Sequence, residues 1–461
     1  MELTLLIDFG STYTKVTAVD LAAERVVASA KGPTTVQTDI MVGLDLALSS
    51  LEQQLGQKPV YGRRLACSSA AGGLSMVTIG LVPELTAEAA KRAALGAGAK
   101  VVKVYAYQLN SKEVSEIESI TPDIVLLSGG TDGGNKSVIT ANASALASSK
   151  VKAPIVVAGN KAVQDEVTAT LRGGGKDVRV TDNVMPEIGV LNVEKAREVI
   201  REVFIDHIVM AKGLKKAEEF VEGILMPTPT SVLNAAGLLA RGTDSEAGIG
   251  EMMIVDIGGA TTDVHTAARG TPTGSGVLLK GLPEPFLKRT VEGDIGMRYS
   301  VAGIIDAVGI ESLAGSAGLP AEKVEAYLGK IGEDVSYLPQ TPEEWSIEVC
   351  LAGAGVETAA VRHAGTLENV FTPLGEIAVQ HGKDLREIPT VIGTGGVIVY
   401  NRRPREILQK ALYGQERPFS LRPVQPRLYV DDLYLLYAIG LLAEVDRDKA
   451  LRIGKKYLRE L

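Results

Sequence analysis

Cysteine and aromatic residues are scarce in this sequence of 461 residues, which holds two cysteines and 4% aromatics. Cys67 and Cys350 lie far apart and form no C-x-x-C pair, so we expect a reducing, cytoplasmic location with both thiols in the core. No apolar run reaches the roughly 18 residues that a membrane span needs. The N-terminus runs from Met1 straight into the apolar Leu5–Ile7. Because it lacks a basic region and a cleavage site, we expect a strand there and not a signal peptide.

Strong charge of one sign is also absent, since the net charge is −8 and basic residues are spread among acids. No basic stripe with interleaved aromatics exists, so nucleic acid is not an expected partner. His207, His363 and His381 show no ligand spacing, so no zinc or iron site is expected. Aliphatic residues and glycine are abundant, with 50 glycines in the chain. That composition suits buried parallel sheets. Because the chain is longer than the roughly 250–300 residues that one hydrophobic core can serve, we predict two or more domains.

The chain opens with two hairpins and a helix. The apolar run Leu3–Asp8 predicts a strand, and Lys15–Val19 and Arg25–Ala30 predict two more. Asp39 is the predicted cap of a helix that ends at Gly56. From about residue 63 to 207 short apolar runs alternate with helices, which predicts parallel strands with right-handed crossovers. The predicted strands there are Leu65–Cys67, Leu74–Gly80, Val101–Ala106, Ile124–Leu127, Ile155–Ala158 and Val178–Val180, and the helices are Ala87–Leu95, Lys136–Ala147, Ala162–Leu171 and Val193–Val203.

An internal repeat begins at Glu251. The segments Met252–Asp256, Thr262–Ala267 and Gly276–Lys280 repeat the strand–turn–strand–strand order of the N-terminus. A further buried strand, Pro389–Ile392, runs into Gly393-Thr394-Gly395-Gly396. We therefore expect two related halves.

The first candidate site is Asp8-Phe9-Gly10-Ser11-Thr12-Tyr13-Thr14-Lys15, directly after a buried strand. Glycine and small hydroxyl residues let successive backbone N–H groups turn toward an anion. Lys15 offers a point charge to a phosphate oxygen, and Asp8 can hold Mg²⁺ through water. A plain hairpin turn with an exposed lysine fits the same residues. The repeat favours the phosphate site, because Asp256-Ile257-Gly258-Gly259-Ala260-Thr261-Thr262-Asp263 has the same order of residue types.

These stretches resemble the phosphate-1, phosphate-2 and adenosine motifs of the superfamily that unites actin, sugar kinases and heat-shock ATPases. The resemblance implies an α/β, actin-like two-domain ATPase fold with ribonuclease-H-like repeats and an inserted doubly wound α/β domain. It implies ATP or ADP with Mg²⁺, and Asp8 and Asp256 facing each other across the metal as catalytic and metal-binding residues. The nucleotide-binding residues that it implies are Gly10, Ser11, Thr12, Lys15, Gly258, Gly259, Ala260, Thr261, Asp263, Gly393, Thr394, Gly395 and Gly396.

The same resemblance divides the chain into five segments. They are 1–62, the first half of domain I with the phosphate-1 loop; 63–215, the inserted domain; 216–250, a return helix of domain I; 251–430, domain II with the phosphate-2 and adenosine motifs; and 431–461, C-terminal helices that pack back on domain I.

One position departs from the superfamily pattern. Heat-shock ATPases carry a glutamate that orients the attacking water, and Thr228 stands at the matching position in Met226–Ala236. A threonine hydroxyl can bind a water but cannot accept its proton near neutral pH. We therefore expect ATP binding with slow hydrolysis, or hydrolysis through another carboxylate.

Four further stretches narrow the resemblance: Ile124–Gly134, Met226–Thr230, Glu292–Arg298 and Asp432–Leu442. With the motifs above they resemble the accessory proteins of adenosylcobalamin-dependent glutamate mutase, the mutase L component. The family implies a reactivating, chaperone-like ATPase that exchanges damaged cobalamin on its client mutase. The client is open, because related proteins accompany ornithine aminomutase.

Alternatives remain at the level of the sequence. A small-molecule kinase would need an aspartate base, for which we find no convincing segment, and an actin-like assembly ATPase would share the scaffold. Ser128–Gly134 fits a glycine-rich turn better than a second phosphate site, and Asp132 is the residue to test there. Asp263-Val264-His265 approaches a cobalamin motif but lacks its glycine, so we interpret it as accidental.

Overall fold

A computed structural model describes residues 2–10, 12–35, 39–69, 74–209, 220–221, 224–373 and 375–461. Ser11, one of the predicted phosphate-binding residues, lies outside these ranges. The chain forms two units. The first contains 1–235, 281–285 and 437–453, and the second contains 236–280, 286–436 and 454–461.

The first sheet of unit 1 has five strands in the order β3-β2-β1-β4-β10. Strand β2 is antiparallel to both β1 and β3, whereas β1, β4 and β10 run parallel. Their bounds are β1 Glu2–Phe9, β2 Tyr13–Asp20, β3 Arg25–Pro33, β4 Val60–Ser68 and β10 Ile224–Pro227. The carboxyl ends of the three parallel strands therefore meet at one edge.

Helix α1, Ile40–Leu55, follows the first three strands as predicted. The Asp39 side chain accepts the backbone N–H of Met41, and Gly56 ends the helix in the left-handed conformation with φ 67°. Both end signals are local, which is why the sequence alone located this helix.

Strand β4 corrects the predicted start of the inserted domain. We expected Leu65–Cys67 in the inserted sheet, but β4 pairs with β1, with Asp8 opposite Cys67. The predicted boundary between residues 62 and 63 cuts through this strand. A buried parallel strand has the same apolar pattern in either sheet, so the sequence could not assign it.

The inserted sheet is parallel throughout, in the order β6-β5-β7-β8-β9. The strands are β5 Leu74–Gly80, β6 Ala99–Ala106, β7 Ile124–Leu127, β8 Ile155–Val157 and β9 Val178–Val180, and the helices are α2 Glu88–Gly96, α3 Ser111–Ile120, α4 Ser137–Ala147, α5 Gln164–Gly173 and α6 Glu194–Val203. One face of the sheet, with Met76 and Leu126, joins the core of the first sheet, and the other, with Val77 and Leu127, forms a second core. Helix α3 was not predicted, although Asn110 and Glu113 form a capping box at its start.

The main sheet of unit 2 has the order β14-β12-β11-β17-β18-β19. Its strands are β11 Met252–Ile257, β12 Thr262–Ala267, β14 Leu287–Glu292, β17 Thr390–Thr394, β18 Arg427–Val430 and β19 Arg459–Glu460. Apart from β19, the strands of this sheet lie in the same order as those of the first sheet of unit 1. Counted along the chain within each sheet, that order is third, second, first, fourth and fifth. This repeat, with the inserted parallel sheet, confirms the predicted α/β fold class with ribonuclease-H-like repeats.

The third strand of this repeat was predicted wrongly. We expected it within Gly276–Lys280, but β13, Leu278–Lys280, joins a separate sheet with β15 Thr366–Thr372 and β16 Gly375–His381. The third strand is β14, which carries Lys288, Arg289 and Glu292 and so lacks the apolar run that marked the other segment.

Helices complete both units. Those of unit 2 are α8 Val301–Val308, α9 Ile310–Ala317, α10 Ala321–Glu333, α11 Pro342–His363, α12 Gly396–Val399 and α13 Pro404–Leu408; α7 Thr228–Arg241, α14 Leu436–Leu442 and α15 Arg447–Tyr457 each include residues of both units. In unit 1, α14 packs tightly on α7, because a Cβ on Gly440 would lie 1.9 Å from the Ser231 carbonyl oxygen. Of the helices in the described ranges, none combines the length and apolar character needed to cross a membrane.

Candidate functional site

Asp8 is the centre of the candidate site in unit 1. Its side chain is buried at the carboxyl end of β1. Lys15 Nζ donates to Oδ2 at 3.2 Å, and Thr228 Oγ1 donates to Oδ1 at 2.6 Å. Cys67 Sγ also lies 3.7 Å from Oδ1. The ends of β1, β4 and β10, with β2 beside β1, thus bring together a carboxylate, an ammonium group, a hydroxyl and a thiol.

Lys15 reaches Asp8 because of the register of the first hairpin. The two residues are directly opposite on β1 and β2. The Lys15 side chain is 24% exposed, so its ammonium group touches both the buried carboxylate and solvent. A cation in that position can pair with an incoming phosphate while it balances Asp8.

The turn between β1 and β2 requires glycine. Gly10 N–H donates to the Tyr13 carbonyl at 3.2 Å, and a Cβ on Gly10 would lie 2.6 Å from that oxygen. Thr34, directly after β3, stabilises the turn, since its hydroxyl donates to the Gly10 carbonyl at 2.8 Å and its N–H to the Thr12 carbonyl at 2.9 Å. The predicted phosphate loop is therefore a tight, supported turn.

Cys67 was predicted as a core residue, and its contact with Asp8 was missed. Burial raises the pKa of the Cys67 thiol well above its usual range, and the charge of Asp8 raises it further. The thiol therefore stays protonated and can act as a weak donor. The sequence carried no signal for this contact, which depends on β4 lying beside β1.

Thr228 occupies the first position of α7, directly after β10. We expected its hydroxyl at a water-orienting position. In the structure the hydroxyl proton is directed at Asp8, so Thr228 positions the carboxylate.

The second hairpin, in unit 2, has the same register but different charges. Gly258 N–H donates to the Thr261 carbonyl at 2.9 Å, and Asp256 is opposite Asp263. Arg289 of β14 donates through Nε to Asp263 Oδ1 at 2.7 Å, and its side chain is 3% exposed. The Thr261 hydroxyl lies 3.5 Å from Asp263 Oδ2. Asp263, predicted to bind nucleotide, thus forms an ion pair with a buried arginine at the hairpin.

The carbonyl groups of the second loop are held by the segment after β14. Met297 N–H donates to the Gly258 carbonyl at 2.9 Å, and Arg298 N–H to the Gly259 carbonyl at 2.8 Å. Gly296 permits this contact, because a Cβ there would lie 2.5 Å from the carbonyl carbon of Ala260. Met297 and Arg298, in the stretch Glu292–Arg298, thus support the loop Gly258–Thr261, which the sequence predicts to bind phosphate.

The third motif lies beside the second within unit 2. Strand β17 is parallel to β11, with Thr394 opposite Asp256. Gly395 has φ +95°, and a Cβ there would lie 2.2 Å from the Ile257 carbonyl oxygen, so glycine is required. Asp431, which was not predicted, accepts the Thr394 hydroxyl at 3.3 Å and the N–H groups of Leu435 and Leu436.

The acids of the two hairpins suit Mg²⁺. Carboxylate oxygens are its preferred protein ligands, and it usually keeps several waters and takes one or two carboxylates with substrate phosphates. Asp8 and Asp256 each stand at the end of a buried strand beside a glycine turn. Within the described ranges, no three His, Cys, Asp or Glu side chains lie close enough to hold a metal together, as a dedicated protein cage would require.

Two other segments have structural roles. In the Ser128–Gly134 loop, Asp132 Oδ1 accepts the Lys161 N–H at 3.1 Å and Asn183 Nδ2 at 3.0 Å, so its acid ties neighbouring loops together. His265 is buried in β12, and burial lowers its pKa to about 4. A buried side chain cannot contact a bound cofactor.

The chain is similar to known proteins over its whole length. A family model described as "MutL protein" matches residues 4–458. Protein MutL of Clostridium tetanomorphum is 53% identical over 459 residues, which cover 99% of both chains. Among solved structures, component A of the (R)-2-hydroxyglutaryl-CoA dehydratase of Acidaminococcus fermentans is 10% identical, with a TM-score of 0.28 and 99% of each chain covered. A xylulose kinase of Lactobacillus acidophilus is 10% identical, with a TM-score of 0.35 and coverage of 100% and 93%.

Proposed function

The chain belongs to the MutL protein family, and on that premise we propose that it is an ATP-dependent reactivating accessory protein for an adenosylcobalamin-dependent mutase. The client would be of the glutamate mutase or ornithine aminomutase type, and the reaction assisted would be exchange of damaged cobalamin for intact cofactor. Support comes from the family match over nearly the entire chain and from the accessory role that the family resemblance implies.

The observation that carries nucleotide binding is the Asp8 hairpin. A buried carboxylate, a partly exposed lysine at 3.2 Å and a glycine turn stand together at the end of β1. In this proposal Lys15 and the backbone N–H groups of Ser11 and Thr12 bind phosphate oxygens, while Gly10, whose N–H donates to the Tyr13 carbonyl, shapes the turn. The N–H groups of Gly259–Thr261 do the same in unit 2, in the turn that Gly258 closes, and Gly393–Gly396 take the adenosine.

Asp8 and Asp256 would hold Mg²⁺ through water. The ion would neutralise charge on the phosphate groups of ATP or ADP. Thr228 would keep the Asp8 carboxylate oriented. Because a threonine hydroxyl cannot accept a proton near neutral pH, we propose that the protein binds ATP firmly and hydrolyses it slowly, as a nucleotide-controlled chaperone.

Calorimetry with ATP and Mg²⁺ tests the binding step. Replacement of the ammonium group in Lys15→Met removes a charged contact to phosphate and should weaken ATP binding about tenfold or more. Lys103→Met is the matched control, because Lys103 pairs with Glu116 at 3.0 Å on the same unit, outside the candidate site. Equal affinities in all three proteins, or no binding by the wild type, would contradict the proposal.

Reactivation tests the function itself. An inactivated mutase is mixed with this protein, ATP, Mg²⁺ and fresh adenosylcobalamin, and the recovered mutase activity is measured. We expect recovery that requires ATP and fails with Lys15→Met. Recovery without nucleotide would overturn the proposed mechanism. A phosphorylated small-molecule product would favour a kinase, and filaments formed on ATP addition an assembly ATPase.

A further inference from the structure

The segment after β18 is hydrogen-bonded to the third glycine motif, Gly393–Gly396. Asp431 is buried and bonds both to the Thr394 hydroxyl and to the start of α14. Three residues later, Tyr434 has φ +57°, a conformation that bulky side chains rarely adopt. Its N–H donates to the Asp431 carbonyl at 3.0 Å. Such a conformation persists where the surroundings determine it, and it often marks a functional position.

Within the third glycine motif, Gly396 is the residue that lies beside Tyr434. A Cβ added to Gly396 would have the Tyr434 hydroxyl 3.7 Å away, and no other heavy atom of the described residues within 4 Å apart from its chain neighbours and helix backbone. Unlike Gly395, Gly396 does not have a left-handed φ. Neither conformation nor packing in the described structure explains this glycine, which leaves its backbone open to a ligand.

Tyr400 lies one helical turn beyond Gly396. Its N–H donates to the Gly396 carbonyl at 3.1 Å, and its side chain is 59% exposed. The Tyr400 and Tyr434 rings have centroids 6.3 Å apart and planes inclined by 37°. The Tyr434 side chain therefore lies beside Gly396, and the Tyr400 ring lies beside that of Tyr434.

We propose that Tyr400 and Tyr434 form the wall against which the base of the bound nucleotide stacks, so that they set its preference for a purine. The inference rests on the proposed nucleotide binding and adds the residues that select the base. An aromatic face stacks on any nucleobase, and the larger purine ring overlaps it more.

The test compares dissociation constants for ATP, CTP and inorganic tripolyphosphate, which lacks a base. In Tyr400→Ala we expect ATP binding to weaken about tenfold, as loss of a base–aromatic stacking contact predicts, with tripolyphosphate binding unchanged. The ratio of ATP to CTP affinity should fall toward one. Tyr434→Gly, which suits the positive φ and so preserves the fold, should act likewise, whereas Tyr434→Phe keeps the ring and most of the ATP affinity.

Phe371→Ala is the control, since Phe371 is an aromatic residue of unit 2 that is 82% exposed on β15. It should leave all three affinities unchanged. If wild type binds ATP but the tyrosine variants keep its affinity and base preference, the stacking wall is wrong while the proposed function stands. If ATP and tripolyphosphate weaken together, the tyrosines support the fold and do not select the base. If wild type binds neither, both proposals fail.

Discussion

Thr228 Oγ1 donates a hydrogen bond of 2.6 Å to Asp8 Oδ1. The contact exists because β10 lies beside β4, which lies beside β1, so that α7 begins at the edge where Asp8 emerges. A hydroxyl in this position fixes the carboxylate that would face magnesium. In the proposed function Thr228 would position this carboxylate where heat-shock ATPases have a glutamate, so that ATP binding would be separated from its hydrolysis.

Loss of this hydrogen bond should weaken Mg²⁺-dependent ATP binding. Thr228→Val keeps the shape of the side chain but removes the donor to a buried carboxylate. Loss of such a hydrogen bond costs about 2 kcal/mol of stability. Thr228→Ser keeps the hydroxyl and should behave like the wild type. The measurement is the ATP affinity as a function of Mg²⁺ concentration, together with the free energy of unfolding. Equal Mg²⁺ dependence in the valine and serine variants would exclude a positioning role.

The two hairpin glycines should differ in their tolerance of a methyl group. A Cβ on Gly10 would lie 2.6 Å from the Tyr13 carbonyl oxygen, whereas one on Gly258 would lie 3.2 Å from the Thr261 carbonyl oxygen. Gly10→Ala must therefore distort its turn, while Gly258→Ala needs a shift of a few tenths of an ångström. We expect the first variant to lose stability and ATP affinity and the second to lose much less, as measured by thermal unfolding and calorimetry. The reverse order would show that these turns are not the rigid elements of the site.

The sequence located those features whose signals are local. The hairpins follow from an apolar run that ends in Asp-x-Gly, and α1 from Asp39 and Gly56. Strand neighbours are not local, which is why β4 was placed in the wrong sheet. The contact of Thr228 with Asp8 spans 220 residues and depends on two such pairings, so no motif could reveal it. Helix α3 is a different case, because its capping box was present in the sequence and was overlooked.

Lys15 and Asp263 occupy the same register position of their hairpins, opposite Asp8 and Asp256 respectively. The second hairpin therefore has two acids where the first has an ion pair, and Arg289 supplies the missing positive charge. Removal of the charge in Arg289→Met leaves Asp263, whose side chain is only 15% exposed, without its cation, which should destabilise unit 2 by about 3 kcal/mol.

The double variant with Asp263→Asn tests the reason for this loss. Without the uncompensated negative charge of Asp263, most of the stability should return. Arg362→Met is the control, because Arg362 pairs with Glu292 and Asp294 at a more exposed position, with its own side chain 40% exposed. Its loss should cost less than about 1 kcal/mol. Denaturant unfolding measures all three, and a loss that persists in the double variant would contradict charge compensation.

Buried histidines should make unit 2 sensitive to acid. Burial lowers the pKa of His265 from 6.5 to about 4, and that of His363 well below 6.5 with help from the charges of Lys288 and Lys383. Below pH 6.5 these histidines bind protons in the unfolded chain but not in the folded chain, so the free energy of unfolding falls as pH drops toward about 4. Each histidine contributes up to about 1.4 kcal/mol per pH unit in this window.

His265→Gln removes one of these titrating groups and should flatten the fall in stability between pH 6.5 and 4.5. The single tryptophan, Trp345, lies in α11 of unit 2, so its fluorescence follows unfolding of that unit. Denaturant curves at a series of pH values give the slope directly. Because a neutral side chain cannot titrate, a His265→Gln slope as steep as that of the wild type would mean that acid acts on unit 2 through other groups.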